Sequence, residues 1–149
     1  IEAELGEVAG KDGAHAPGVR TDPAEAAQFV DDTGVDALAV AVGSSHAMVE
    51  KSAALDQELI RRLRAAVPVP LVLHGSSGVP DASIAEAARN GMVKINIGTA
   101  LNIAYTGAIR AWLDENPTAV DPRKYAAEAR ESVADTAAHY LRVAAGIGV

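Results

Sequence analysis

Two histidines stand at matching places in the chain. Val35–Val42 is an apolar run leading into Gly43-Ser44-Ser45-His46, and Val69-Pro70-Leu71-Val72-Leu73 leads into His74-Gly75-Ser76-Ser77-Gly78. In parallel α/β folds, active sites are built at the C-terminal ends of the strands. Two imidazoles on neighbouring strand ends would lie a few ångströms apart. That geometry suits Zn²⁺, which binds imidazole nitrogen at roughly 2.0–2.1 Å and takes about three protein ligands in a catalytic site. His46 and His74 are one ligand short of that set, and the competing reading is a pair of hydrogen-bonded strand-end histidines.

A second feature lies beside them. Gly75-Ser76-Ser77-Gly78 runs toward a helix, and Gly98-Thr99 repeats the arrangement on the next unit. Small residues leave backbone N–H groups free to meet an anion, and a helix N-terminus adds positive partial charge. Side by side, the two segments read as one phosphate pocket; singly, each is an ordinary turn. Glu2 and Glu4 share one face of the first strand, and Asp12 and Asp22 flank the loop after it. Carboxylates on an otherwise buried strand need a cation, a Lys or Arg, or solvent.

Other charged residues read as ordinary surface. His15 and His139 have no motif around them and are expected to be solvated, and Arg61, Arg62 and Arg64 fall on the outer face of a helix. Lys94 sits at the start of its strand, the wrong end for a Schiff-base lysine.

The elements that must position these groups alternate. Ile1–Leu5 alternates apolar and acidic residues, a strand with one polar face. Gly6–Arg20 has no period and reads as a long loop, and loops of that length are usually functional. Thr21-Asp22-Pro23 opens a helix that Gly34 stops. The Val35–Val42 run suits a strand buried on both faces. A helix over 54–66 carries Leu55, Leu59, Ile60 and Leu63 on one face. Next come a third strand over 69–74, a helix from Asp81 through Arg89, a fourth strand over 92–97 and a helix from about Ala100 to Glu115. Asp121-Pro122 then starts a last helix through about Ala144. Strands alternating with helices predict a parallel sheet with right-handed crossovers. Four such units are half of an eight-stranded barrel or a small open sheet.

Composition narrows the chemistry. The chain has 149 residues, 49% of them hydrophobic, enough for a real core. Net charge is −7, which gives no basic footprint for nucleic acid or for an anionic membrane surface. One Trp, one Phe and three Tyr are too few for base-stacking platforms. With no cysteine, disulfides, iron–sulfur clusters, thiolate zinc sites and cysteine nucleophiles are excluded. The first residue is Ile1, which reads as a processed, cut or partial chain.

Taken in order, these segments resemble the class II, zinc-dependent fructose-bisphosphate/tagatose-bisphosphate aldolase family, in its C-terminal half. The matching stretches are Ile1–Gly6, Thr33–Val40, Gly43–His46, Pro70–Gly78 and Lys94–Thr99, with Asp121–Tyr125 as a weaker match to the family's tail. The resemblance implies an α/β fold, a (β/α)₈ TIM barrel. Residues 1–149 would hold about its last four βα units plus the C-terminal helices, with the N-terminal half of that single domain absent. It implies His46 and His74 as two of three zinc ligands, the third histidine lying in the absent half. Glu4 matches an acidic residue that holds zinc in a withdrawn position, and Glu2 is a second candidate for that role. Gly75, Ser77, Asn96, Gly98 and Thr99 match positions that hold the substrate's phosphate and dihydroxyacetone portion. A monovalent cation, Na⁺ or K⁺, is implied near Gly43–His46 and Gly75–Gly78.

The long loop matches one that carries a proton-moving glutamate in the family. Here Asp12 stands at that position, one methylene shorter. Ala47 stands where the family has glycine after the metal histidine, and Glu50, with Lys51 next to it, stands where a lysine is common. The implied reaction is reversible, zinc-dependent aldol cleavage of a ketose 1,6-bisphosphate to dihydroxyacetone phosphate and an aldehyde phosphate. The implied setting is cytoplasmic carbohydrate metabolism, including glycolysis, by a homodimer or homotetramer, with neither nucleic acid nor membrane as partner. The alternatives are a divergent phosphosugar-binding barrel without aldolase activity, a fragment inactive by itself, and an unrelated small open α/β domain.

Overall fold

The computed structural model describes residues 1–6, 20–46 and 48–148. Strands β1 (Glu2–Leu5), β2 (Ala37–Val40), β3 (Leu71–Leu73) and β4 (Met92–Ile95) alternate with helices α1 (Pro23–Thr33), α2 (Gln57–Ala66) and α3 (Asp81–Asn90). Helices α4 (Thr99–Glu115) and α5 (Pro122–Ala144) come after β4 and pack on each other as a hairpin. All pairings are parallel and the spatial order β1-β2-β3-β4 equals the order in sequence. A doubly wound sheet reverses its strand order at a switch point; this one does not. It is a run of four consecutive βα units of the (β/α)₈ barrel type.

Local chemistry sets the boundaries. The Asp22 carboxylate accepts from the Ala24 and Glu25 N–H groups, Pro23 fills the first turn, and Gly34 ends α1 with φ 65°. Asp121 and Pro122 open α5 in the same way. Helix α2 starts later than its apolar spacing predicts. Asp56 is its cap, accepting from Leu59 N–H.

Register divides the sheet into two chemically distinct faces. One row across the strands is Ala3, Leu38, Leu71 and Met92, which packs against α1 and α2 with Leu59, Ile60 and Leu63. Truncating a fully buried member such as Leu38 or Ile60 to Ala would cost about 2–5 kcal/mol. The next row is Glu4, Ala39, Val72 and Lys94. Successive strand residues face opposite sides, so Glu2, Glu4, Ala37, Ala39, Val72 and Lys94 share the inner face. Between β3 and β4 the register slips by one: Leu71 pairs with Met92 but Val72 with Lys94. Val93 is the extra residue of this bulge and is exposed. A smaller core of Val79, Ile84, Tyr140 and Val143 joins α3 to α5.

Candidate active site

Small side chains leave a gap on the inner face. On β2 the inward residues are Ala37 and Ala39, so nothing bulky separates β1 from β3. The Glu4 carboxylate on β1 therefore reaches across to His74, just beyond the end of β3, and Glu4 Oε2 contacts His74 Nδ1. The same oxygen lies 4.0 Å from His46 Nε2. The two imidazole centroids are 5.8 Å apart. One donor atom from each of Glu4, His46 and His74 falls within 4.8 Å of the others. The other ring nitrogen of His74, Nε2, is 3.1 Å from Glu2 Oε1, and Glu2 Oε2 accepts from Lys94 Nζ at 2.7 Å. The hydrogen-bonded Lys94 ammonium holds the Glu2 carboxyl below its ordinary value; partial burial opposes this and His74 adds to it.

Lys94 is thus a member of the cluster, contrary to the strand-start reading. β4 is short and bulged, Lys94 is its third residue, and a long side chain carries the charge to β1. Glu2 is paired rather than merely solvated.

Two glycines let the histidine loops touch. At Gly75 φ is 66°, and a Cβ there would lie 2.6 Å from the Ser45 carbonyl. At Gly78 a Cβ would lie 2.4 Å from the Met48 Cβ. Small residues at these points bring the segment after β3 against the segment after β2, setting His46 beside His74.

Next to the cluster is a cavity of about 280 Å³. Gly75, Ser77, Asn96, Gly98 and Thr99 all line it together with His46 and His74. The expected pair of helix N-termini is here as one. Thr99 opens α4, and no side chain of its Gly98 cap position closes the first turn. Ser77 Oγ accepts from Ala100 N–H at 3.0 Å, which ties the two turns together and leaves the hydroxyl proton free to donate. Ser76–Gly78 forms instead a single 3₁₀ turn, with α3 starting only at Asp81. Ser76 is buried and its hydroxyl donates to the Leu73 carbonyl. The groups at this cavity that could meet an anion are therefore the α4 terminus, with its positive dipole end, and the turn after His74.

A one-carboxylate, two-imidazole set at this spacing fits a borderline cation such as Zn²⁺. Ser44 Oγ is buried and is the one such side-chain atom among the described residues without a hydrogen-bond partner. Asp12 and Ala47 lie outside the described residues. His139, expected to be solvated, instead places Nε2 2.9 Å from Asp81 Oδ2, and Lys51 binds the other Asp81 oxygen. Burial works to raise the Asp81 carboxyl and to lower the Lys51 ammonium. Their ion pair, with His139 and Tyr140, outweighs it, leaving Asp81 below and Lys51 above the ordinary value. No helix among the described residues is long and apolar enough to cross a membrane.

Solved proteins share this fold. The YdjI aldolase of Escherichia coli K12 superposes with a TM-score of 0.78 at 38% identity, covering 99% of this chain and 50% of that one. A provisionally assigned fructose-1,6-bisphosphate aldolase from Coccidioides immitis gives 0.82 at 26% identity, covering 99% and 52%. Fructose-bisphosphate aldolase of Campylobacter jejuni gives 0.77 at 22% identity over 98% and 51%, a likeness of fold. The chain spans about half the length of these solved relatives. The family model for fructose-bisphosphate aldolase class-II matches residues 1–148, nearly every position from the Glu2/Glu4 strand through α5. With both histidine loops inside that match, the chain belongs to the class II fructose-bisphosphate aldolase family.

Proposed function

We propose that this chain supplies the C-terminal half of a single-domain, zinc-dependent ketose-bisphosphate aldolase. The observation carrying this reading is the convergence of Glu4, His46 and His74 beside a cavity of Gly, Ser, Thr and Asn at the strand ends. His46 and His74 would hold the ion, with Glu4 as the acidic ligand within reach. When bound there, zinc supplies Lewis acidity toward a substrate carbonyl and hydroxyl. The chain's own residues do the rest. The α4 N-terminal amides at Gly98 and Thr99, with the turn at Gly75–Gly78, bind the phosphate of the dihydroxyacetone portion. The Ser77 and Thr99 hydroxyls donate to it, and Asn96 orients the three-carbon unit. Asp12 takes and returns the proton on the carbon next to the carbonyl. The orphan Ser44 hydroxyl supports a monovalent cation between the two histidine loops.

The test is cleavage of fructose 1,6- and tagatose 1,6-bisphosphates by the full-length protein, with and without zinc. Activity is expected to vanish with chelation, to return with zinc, and to be lost in His46→Ala and His74→Ala. Near-full turnover in metal-free protein overturns the reading. Asp12→Asn is expected to slow solvent-proton exchange into dihydroxyacetone phosphate by about 10²–10⁴-fold, with little change in its binding. Equal exchange in both proteins removes Asp12 from the role.

A second reading is a phosphosugar-binding barrel with altered chemistry. It is favoured by Lys51, the lysine nearest the family's usual position, whose ammonium is engaged by Asp81 and lies over the Tyr140 ring. Binding of dihydroxyacetone phosphate without cleavage of either bisphosphate selects this alternative. The assembly, inferred as a dimer or tetramer, is settled by mass measurement in solution.

A further inference from the structure

We infer that Glu2 and Lys94 form a positioning pair that fixes the His74 ring and its tautomer for the metal, rather than contributing a ligand. The inference rests on the metal reading above.

His74 has a carboxylate at each ring nitrogen: Glu4 at Nδ1 and Glu2 at Nε2. The two sides differ in what else is present. On the Nδ1 side the Glu4 oxygen also faces His46, so three donors converge. On the Nε2 side Glu2 is the acceptor, and its other oxygen is taken by Lys94 at 2.7 Å. A carboxylate accepts only, so with a cation held among Glu4, His46 and His74 Nδ1 the one ring proton would sit on Nε2, accepted by Glu2, and the Nδ1 lone pair would face the ion. Such carboxylate–histidine–metal chains orient the ring and raise its basicity. Lys94 completes the chain. By occupying Oε2 and offsetting the charge, it holds Glu2 on His74 and away from the ion.

The geometry needs all four strands. Glu2 is on β1, His74 comes after β3 and Lys94 is on β4, with only alanines projecting from β2 between them. The bulge at Val93 places Lys94 in the inward row.

The experiment measures zinc affinity of the full-length protein by chelator competition, and the visible absorption of its Co²⁺-substituted form. The variants are Glu2→Ala, Lys94→Met and Lys94→Arg, with His74→Ala as reference. Glu2→Ala is expected to weaken zinc binding by about 10–100-fold and to shift the cobalt bands without abolishing them. Lys94→Met should act in the same direction by less, and Lys94→Arg should restore most of the loss. Circular dichroism confirms folding; if Glu2→Ala does not fold, the two Lys94 variants carry the test. Parent-like affinity and cobalt bands in Glu2→Ala and Lys94→Met overturn the inference alone. Collapse of the bands in Glu2→Ala, as complete as in His74→Ala, makes Glu2 a ligand and also overturns it. A parent protein that holds no zinc overturns the metal reading itself, and this inference with it.

Discussion

At the strand ends, Glu2, Glu4, His46, His74 and Lys94 meet on the inner face of the sheet. Between α3, α5 and the loop before α2, Asp81, His139 and Lys51 meet. Both groups are built from acid, imidazole and ammonium, yet they are arranged for different ends. In the second, one carboxylate is shared by two basic partners, and every charge has an answer. In the first, two carboxylates and two imidazoles face a single ammonium, and that ammonium is taken up by Glu2. Glu4 is left between the two imidazole rings beside a cavity. Residue types alone do not separate a site from a clamp; the surplus of donors over cations does, together with room beside it.

The sharpest way to break this comparison is to remove one histidine from each group. His74→Ala should lower zinc affinity by more than about 100-fold, beyond what loss of an orienting partner costs. His139→Ala should leave zinc binding unchanged. Equal losses in a metal titration would erase the distinction.

A smaller effect probes how the first group is assembled. Gly75 and Gly34 have nearly the same backbone, φ 66° and 65°. A Cβ at Gly34 meets nothing within 4 Å, whereas at Gly75 it meets the Ser45 backbone. Gly34→Ala should cost about 1–2 kcal/mol for the left-handed conformation. Gly75→Ala should cost more and loosen zinc binding as well. Urea unfolding of the two variants, run side by side, reads the difference.

The smallest effect belongs to the clamp. Asp81 is held below its ordinary 3.8 in the fold, so its contribution is present above that value and lost as pH falls through the lower, folded one. Lys51 is held above 10.5, so its contribution is present below that value and lost as pH rises through the folded one. Asp81→Asn should remove about 0.2–1 kcal/mol at neutral pH, as expected for exposed pairs. It should also flatten the acid limb of the stability curve below about pH 4. Unchanged thermal melts across that limb would show that the clamp carries no stability.

Much of this is legible in the residues. Asp22-Pro23, Gly34 and Asp121-Pro122 mark helix ends through chemistry local to the chain, and the structure puts caps at each. His46 and His74 are visible because each comes after an apolar run that suits a buried strand. Lys94 is not visible as a partner. Its place depends on a slip of register against β3 and on small side chains on β2, neither of which the segment around Lys94 encodes. His139 is hidden for the same reason: Asp81, 58 positions away, is its partner. The single helix N-terminus at the cavity, where two are expected, reflects the 3₁₀ turn Ser76–Gly78 that stands between His74 and α3, a helix that begins at Asp81 as the residues imply.

The bulge at Val93 has a consequence for how this stretch tolerates change. The side chain itself is exposed, so its identity matters little. What matters is that the bulge takes it up, because side chains alternate strictly along a strand. Were β4 to run regularly from Met92 with Val93 kept, Val93 would fall opposite Val72, sending Lys94 toward the helices and the hydrocarbon of Ile95 toward the histidines. Excising Val93 together with the bulge would instead leave Lys94 opposite Val72 and Ile95 opposite Leu73, so the position is slack in the strand: it can be lost, but it cannot be drawn into the ladder.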